Sequence, residues 1–184
     1  MKKLRITLFL VMGLVVILGA GCQNKDEEAT VTVPSDEQWS STTDAGGIPT
    51  SPLAGELNGQ AFTMESAIIQ EWDGEYEFSF SSLAPSDTCG VVTGDNAVHF
   101  SSKVLQTGTF EKTIDEEIAF EDYHSYYHYQ QENGAPMSVN VEWKSKIVIT
   151  EIDDTNNKVK GYADIEFEDC LTKVAGSFTA DLCK

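Results

Sequence analysis

The chain has 184 residues, 30 Asp plus Glu against 12 Lys plus Arg, a formal charge of −18, 41% apolar residues and 23% charged ones. That length holds one modest globular domain with tails. Charge of this sign repels a phosphate backbone and no Lys/Arg stripe supplies a basic face, so nucleic acid is not an expected partner and anionic headgroups are poor ones.

Lys2, Lys3 and Arg5 precede an almost wholly apolar run over residues 6–20, which ends in Gly19-Ala20-Gly21-Cys22. The run is too short to span a membrane and reads as a signal peptide over residues 1–21. Its end resembles the bacterial lipobox, in which a large aliphatic residue and two small ones precede a cysteine that becomes the lipidated first residue. Gly19 stands at the usual aliphatic position, with Leu18 one place upstream. The resemblance implies lipidation (palmitate) at Cys22, a membrane partner reached through that lipid, and an extracytoplasmic place in a bacterial cell envelope. Gln23 instead of Asp after the cysteine favours the outer membrane where the cell has one.

Removal of residues 1–21 takes away three basic side chains and no carboxylate, leaving 9 basic and 30 acidic residues, net −21. Residues 22–52 are acidic and rich in Ser, Thr, Gly and Pro, with Val31, Val33, Trp39 and Ile48 the only large apolar side chains. Such a segment buries too little surface to offset ordering entropy, and a flexible tether with an r.m.s. reach of about 30 Å is expected. Trp39 is the one residue in it that hints at packing onto the domain.

Residues 53–184 alternate apolar and polar positions, with turn signals every several residues, and form the expected single domain. Asn58-Gly59 marks a hairpin between residues 53–57 and a longer run over 61–72, because both central residues of a type I′ turn need positive φ. Asp73-Gly74 opens a strand over 75–82, in which Tyr76, Phe78 and Phe80 share one face. Residues 84–96 read as a loop, and 97–105 and 108–114 as strands. After a loop at Asp115-Glu116-Glu117 come strands over 118–130 and 137–142, flanking Asn133-Gly134. Three clearer strands follow over 146–152, 159–167 and 174–182. In the last two, Val159, Ala163, Ile165 and Phe167 share a face, as do Val174, Phe178, Ala180 and Leu182. The fold expected is all-β, an antiparallel β-sandwich or partly closed barrel of about eight to ten strands.

The opening Leu53-Ala54-Gly55-Glu56-Leu57-Asn58-Gly59-Gln60-Ala61-Phe62, the loop Ser86-Asp87-Thr88-Cys89 and the ending Lys173-Val174-Ala175-Gly176-Ser177-Phe178-Thr179-Ala180-Asp181-Leu182-Cys183 are similar to a loose group of uncharacterised bacterial lipoproteins with one small β domain. The resemblance supplies no activity or ligand. With Cys22 acylated, three thiols remain in an oxidising compartment, so one disulfide and one leftover cysteine are expected. A strand between Cys170 and Cys183 sets those two about 40 Å apart, too far to bond. Cys89 with Cys183 and Cys89 with Cys170 both remain open on the residues alone; the resemblance implies the pair Cys89–Cys183.

The three histidines are His99, His124 and His128, and no nucleophile elbow, zinc-protease helix, phosphate loop or Cys-x-x-Cys is present. No catalytic residue, metal ligand or cofactor is assigned. His124 and His128 have helical spacing for a shared zinc, yet the tyrosines around them favour a strand, which separates the rings by about 13 Å. Tyr123, His124, Tyr126 and His128 form a candidate binding surface for a sugar or extended peptide, with Tyr127 and Tyr129 as candidate core residues. Asp153-Asp154-Thr155-Asn156-Asn157 reads as a turn, not a calcium loop, and Glu71, Asp73, Glu75 and Glu77 as dispersed surface carboxylates. The expected function is that of a lipid-anchored, monomeric, non-enzymatic domain holding a protein, peptide or glycan partner. The alternative is a small-ligand or metal-dependent activity in a loop cleft near Cys89, His99 and His124.

Overall fold

The described residues form ten strands: β1 (Ala54–Leu57), β2 (Gln60–Thr63), β3 (Ser66–Trp72), β4 (Glu75–Ser81), β5 (Ala97–Ser102), β6 (Gly108–Thr113), β7 (Ser125–Tyr129), β8 (Ser138–Asp153), β9 (Lys158–Phe167) and β10 (Lys173–Cys183), with period-two burial clearest along β9 and β10. The computed structural model describes residues 39–84, 89–90, 96–115, 118–119, 122–129 and 137–184, all within one compact unit. Seven strands close into a barrel in the order β10–β3–β4–β5–β7–β8–β9 and back to β10. Every pairing is antiparallel except that of β10 with β3. The β1–β2 hairpin extends from the first residues of β10, and β6 pairs with β8 beyond β7.

The interior is a layered apolar core. Leu182, Ile69, Phe78 and Phe100 lie opposite one another across four strands and all point inward. Phe78 meets Phe100 edge-on at 5.3 Å, Phe80 meets Phe178 at 5.1 Å, and Tyr127 meets Phe167 at 4.9 Å between ring centroids. Both tight turns carry the expected geometry: φ is 51° and 70° at Asn58 and Gly59, and 51° and 83° at Asp73 and Gly74. Positive φ at both central residues lets the turn twist match that of the flanking strands.

The strand expected over 118–130 is confined to β7, Ser125–Tyr129, with residues 118–119 and 122–124 outside it. Two further boundaries differ where the inward side changes parity. The run over residues 61–72 is two strands, because Phe62 and Ala67 both face the core and an odd separation cannot lie on one face of a straight strand. At the break the Met64 amide donates to the Leu53 carbonyl and the Glu65 amide to that of Ser81. Conversely, the two strands expected over 137–142 and 146–152 are one, β8, of 16 residues. Its buried positions pass from Glu142 to Ser145, Ile147 and Ile149, and its register shifts between Glu142 and Lys144 and again between Ile149 and Glu151. A bulge inserts one residue and so reverses the face without ending the strand.

Of the tether expected over residues 22–52, residues 39–52 pack on the barrel instead, and residues 22–38 lie outside the described residues. Trp39 lies 6.5 Å from Phe100 and 5.9 Å from Phe110, and its indole N–H donates to Ser102 Oγ at 3.1 Å. Ser40 and Thr109 exchange backbone hydrogen bonds of 2.8 and 2.9 Å on the free edge of β6. At the other end of the segment, Leu53 N donates to Ser177 O and Ser177 N to Ser51 O. Thr109, Val148, Tyr162 and Ser177 are register partners in one outward row over β6, β8, β9 and β10. A strap pinned at both ends of that row accounts for the burial of outward-facing Val148 and of Ile48 on the strap itself. Two glycines admit it: a Cβ at Gly108 would stand 2.1 Å from Ser40 O, and one at Gly176 2.7 Å from Ser51 O, both at φ near +150°.

The strap accordingly contributes to stability through one indole and a few backbone bonds. Trp39→Ala is expected to lower unfolding free energy by about 2 kcal/mol, or roughly 4–8 °C in Tm. Gly108→Ala displaces the same strap, so the double variant should lose clearly less than the two single losses together in a denaturant-unfolding cycle. Full additivity would mean that the strap does not link the two positions.

Candidate functional site

With Ile69, Phe78 and Phe100 inward, their neighbours Ile68, Ser79 and His99 must face outward. Register then places Asp181, Ile68, Ser79, His99, Tyr126 and Val141 in one lateral row over six ring strands, β10 to β8. Around His99, which is only 3% exposed, a polar cluster forms. Its Nδ1 lies 3.1 Å from Ser79 Oγ and 3.3 Å from Glu77 Oε1. Tyr126 stacks on the imidazole at 4.8 Å and donates its hydroxyl to Glu77 Oε2 at 2.8 Å. His128 stands edge-on to His99 at 6.3 Å and to Tyr126 at 5.6 Å. The hydrogen bond from His99, reinforced by that from Tyr126 and opposed by burial, holds the Glu77 carboxyl below its usual range. Burial and the adjacent Glu77 charge push the Tyr126 hydroxyl well up.

Ser, His and Glu in contact invite comparison with a hydrolytic triad, and the geometry refuses it. A triad places the nucleophile on one imidazole nitrogen and the carboxylate on the other, so that the base can accept while it is oriented. Here Ser79 and Glu77 converge on the same nitrogen, Nδ1. If that nitrogen donates to Glu77 it cannot take the serine proton. The arrangement satisfies its own polar groups and fixes Tyr126 and His128 on the sheet surface.

The other residues singled out in the sequence separate. His124 is not with His99: its ring packs 4.7 Å from Phe110 and its Nδ1 lies 3.0 Å from Ser101 O. Tyr123 is half-buried before β7, and Tyr127 and Tyr129 face the core. Of the proposed surface, Tyr126 and His128 therefore share an outward face, with Val139 opposite His128. Asp153 accepts from the Thr155 and Asn156 amides and closes its own turn. No group of three His, Cys, Asp or Glu placed to hold a metal occurs among the described residues.

Cys89 is bonded to Cys183, with Cα atoms 5.8 Å apart, and the Cys89 carbonyl accepts from Gln70 Nε2 at 3.0 Å. The expected leftover thiol is corrected: no cysteine among the described residues is free, Cys170 included. Cys22 itself lies outside the described residues.

One residue escaped the sequence reading. Glu142, 1% exposed, points into the barrel, where its carboxylate accepts from the backbone N–H of His124 at 2.9 Å and from that of Ser125. Beside it the hydroxyls of Ser125 and Ser145 bond at 2.7 Å. Burial pushes the carboxyl up to about 7, the two backbone donors and Lys112 acting against it. Its only trace in the sequence is a charged residue where the alternation of the strand breaks.

Comparison with protein-family models, curated proteins and solved structures finds no match. The class defined is thus structural: a closed seven-stranded β-barrel with appended strands and a satisfied polar cluster on its outer wall. No helix among the described residues is long and apolar enough to cross a membrane.

Two measurements follow. Because the folded carboxyl of Glu142 sits near 7 and the unfolded one near its ordinary value of 4.5, its contribution is intact below about pH 4.5 and is lost as pH rises through about 7. Relative to Glu142→Gln, the wild type should lose on the order of 2–3 kcal/mol between pH 4.5 and pH 8, read as a changing gap between thermal midpoints; a constant gap would contradict the assignment. Replacing Cys89 and Cys183 together by Ser removes a cross-link over 94 residues. That should lower stability by about 2–4 kcal/mol, with the amides of Ile69 and Leu182 gaining exchange rate before those of Phe78 or Phe100.

Proposed function

We propose that the chain is a lipid-anchored, extracytoplasmic binding domain of a bacterial cell envelope that holds a partner and performs no reaction of its own. The observation that carries this reading is the Cys89–Cys183 bond, since such a cross-link forms and persists in oxidising compartments. It agrees with the signal segment over residues 1–21 and with the lipobox-like end at Cys22. The absence of chemistry rests on the outer-wall cluster, where Ser79 and Glu77 compete for one nitrogen of His99. The partner-holding role falls to the exposed barrel wall and hairpin tips, which the strap over residues 39–52 leaves uncovered.

The anchor makes a strict chemical demand. The sulfur of a lipidated N-terminal cysteine carries a thioether and cannot at the same time be half of a disulfide. Mass spectrometry of the membrane-extracted protein should find Cys22 as an acylated N-terminus, with the protein in the detergent phase. Cys22→Ala should remain unprocessed by lipoprotein maturation. A peptide linking Cys22 to Cys170, or a mature chain wholly in the aqueous phase, overturns the anchor.

A further inference from the structure

Six lysines of the barrel spend their charge on its own carboxylates. Lys144, Lys146, Lys158, Lys160, Lys173 and Lys184 lie on β8 to β10 or just beyond, and each is within ion-pair distance of a carboxylate: Asp164, Glu111, Asp181, Glu151, Glu166 and Asp154 respectively. The β3–β4 tip carries Glu71, Asp73 and Glu75, all exposed, and none of them makes an ion pair among the described residues. Between them stands Trp72, 78% exposed, the most exposed large apolar side chain described. Trp72 and Glu75 are cross-strand partners, so their side chains share a face, and Gln70 and Glu77 continue it down the sheet. Asp73 and Gly74 form a tight turn with φ 51° and 83°, so Trp72 is displayed at the end of a regular hairpin.

We propose that the β3–β4 tip is the docking point for a lysine- or arginine-bearing peptide segment of a protein partner. An indole face attracts a cation and covers its aliphatic stem, and Glu75 on the same face, with Asp73 at the turn, supplies the complementary charge. Indoles are over-represented among residues that dominate binding energy, and a pre-ordered one loses little entropy when engaged. Charge also selects among occupants. Three carboxylates on the tip without an ion pair among the described residues repel an anionic lipid surface, whereas they steer a basic segment toward it. The inference rests on the reading of the barrel as a binding domain, and not on the lipid anchor.

The full chain should be titrated with a ten-residue peptide of alternating lysine and glycine at about 0.15 M salt, where exposed charges act over about 8 Å. Binding should shift tryptophan emission to the blue in the wild type. Trp72→Ala should weaken binding at least tenfold, as should the combined Glu71→Gln, Asp73→Asn and Glu75→Gln, in which asparagine tolerates the positive φ of the turn. A control with Glu65→Gln, Asp115→Asn and Glu168→Gln removes equal charge elsewhere and should weaken it less than threefold. Equal losses in both triple variants would mean attraction by net charge alone and overturn the proposal. Unchanged affinity in Trp72→Ala would remove the tip while leaving a binding domain in place. Trp72-dependent association with phosphatidylcholine vesicles and none with the peptide would assign the tip to a lipid surface and overturn it as well.

Discussion

The inward row of Leu182, Ile69, Phe78 and Phe100 is the interaction on which the rest of the molecule depends. Four large apolar side chains, each 6% exposed or less, meet across four consecutive ring strands. A slip of one residue in any of them would turn an apolar side chain to water and a polar one into the core. The outer wall inherits its order from this row. Ser79, His99 and Tyr126 meet on the surface only because Phe78, Phe100 and Ser125 are committed to the interior.

Closure of the ring leaves edges where appended strands end, and the chain covers one of them with its own irregular segment. The free side of β6 receives Ser40 through a pair of backbone bonds and Thr109 Oγ1 donates to Thr42 O at 2.7 Å. An uncovered edge would template pairing with another chain, and the strap occupies it with residues that carry almost no apolar signal. Hydrogen bonds and two glycines do the work that hydrophobic burial does elsewhere. A segment so polar on its own still orders because the surface it lies on is already fixed, leaving Trp39 and Ile48 to supply the apolar contacts.

This explains what was legible in the sequence. The hairpins at Asn58-Gly59 and Asp73-Gly74 are written in adjacent residues, as is the alternation of Tyr76, Phe78 and Phe80, so the all-β class and most strands follow from local pattern. The division at Met64 and the bulge after Glu142 are also present, but as changes of parity that become visible only when the inward side is known on both flanks. The strap was not legible, since composition measures its capacity to bury surface and not the backbone bonds waiting for it. The His99 cluster was not legible either: Glu77, His99 and Tyr126 come from β4, β5 and β7, and their meeting is a property of register across strands. His124 was linked with His99 because both are histidines near loops, whereas its ring packs on Phe110.

The last strand shows why the disulfide belongs where it does. β10 pairs with β9 along nine registered positions but with β3 along only three, Asp181, Leu182 and Cys183 opposite Ile68, Ile69 and Gln70. That short parallel contact is the seam by which the ring closes, and it involves the final residues of the chain, which would otherwise fray. Cys183 is the last registered residue of the seam, and Cys89 is tied to its partner Gln70 as well as to Cys183 itself. The loop after β4 thus clamps both strands at the point of closure. Parting the seam needs only three backbone pairs to separate when the bond is reduced, but the chain ends cannot diffuse apart when it is intact. Closure of the barrel is in this way coupled to the redox state of its surroundings, at a seam of only three registered pairs, where the ring's one parallel pairing lies.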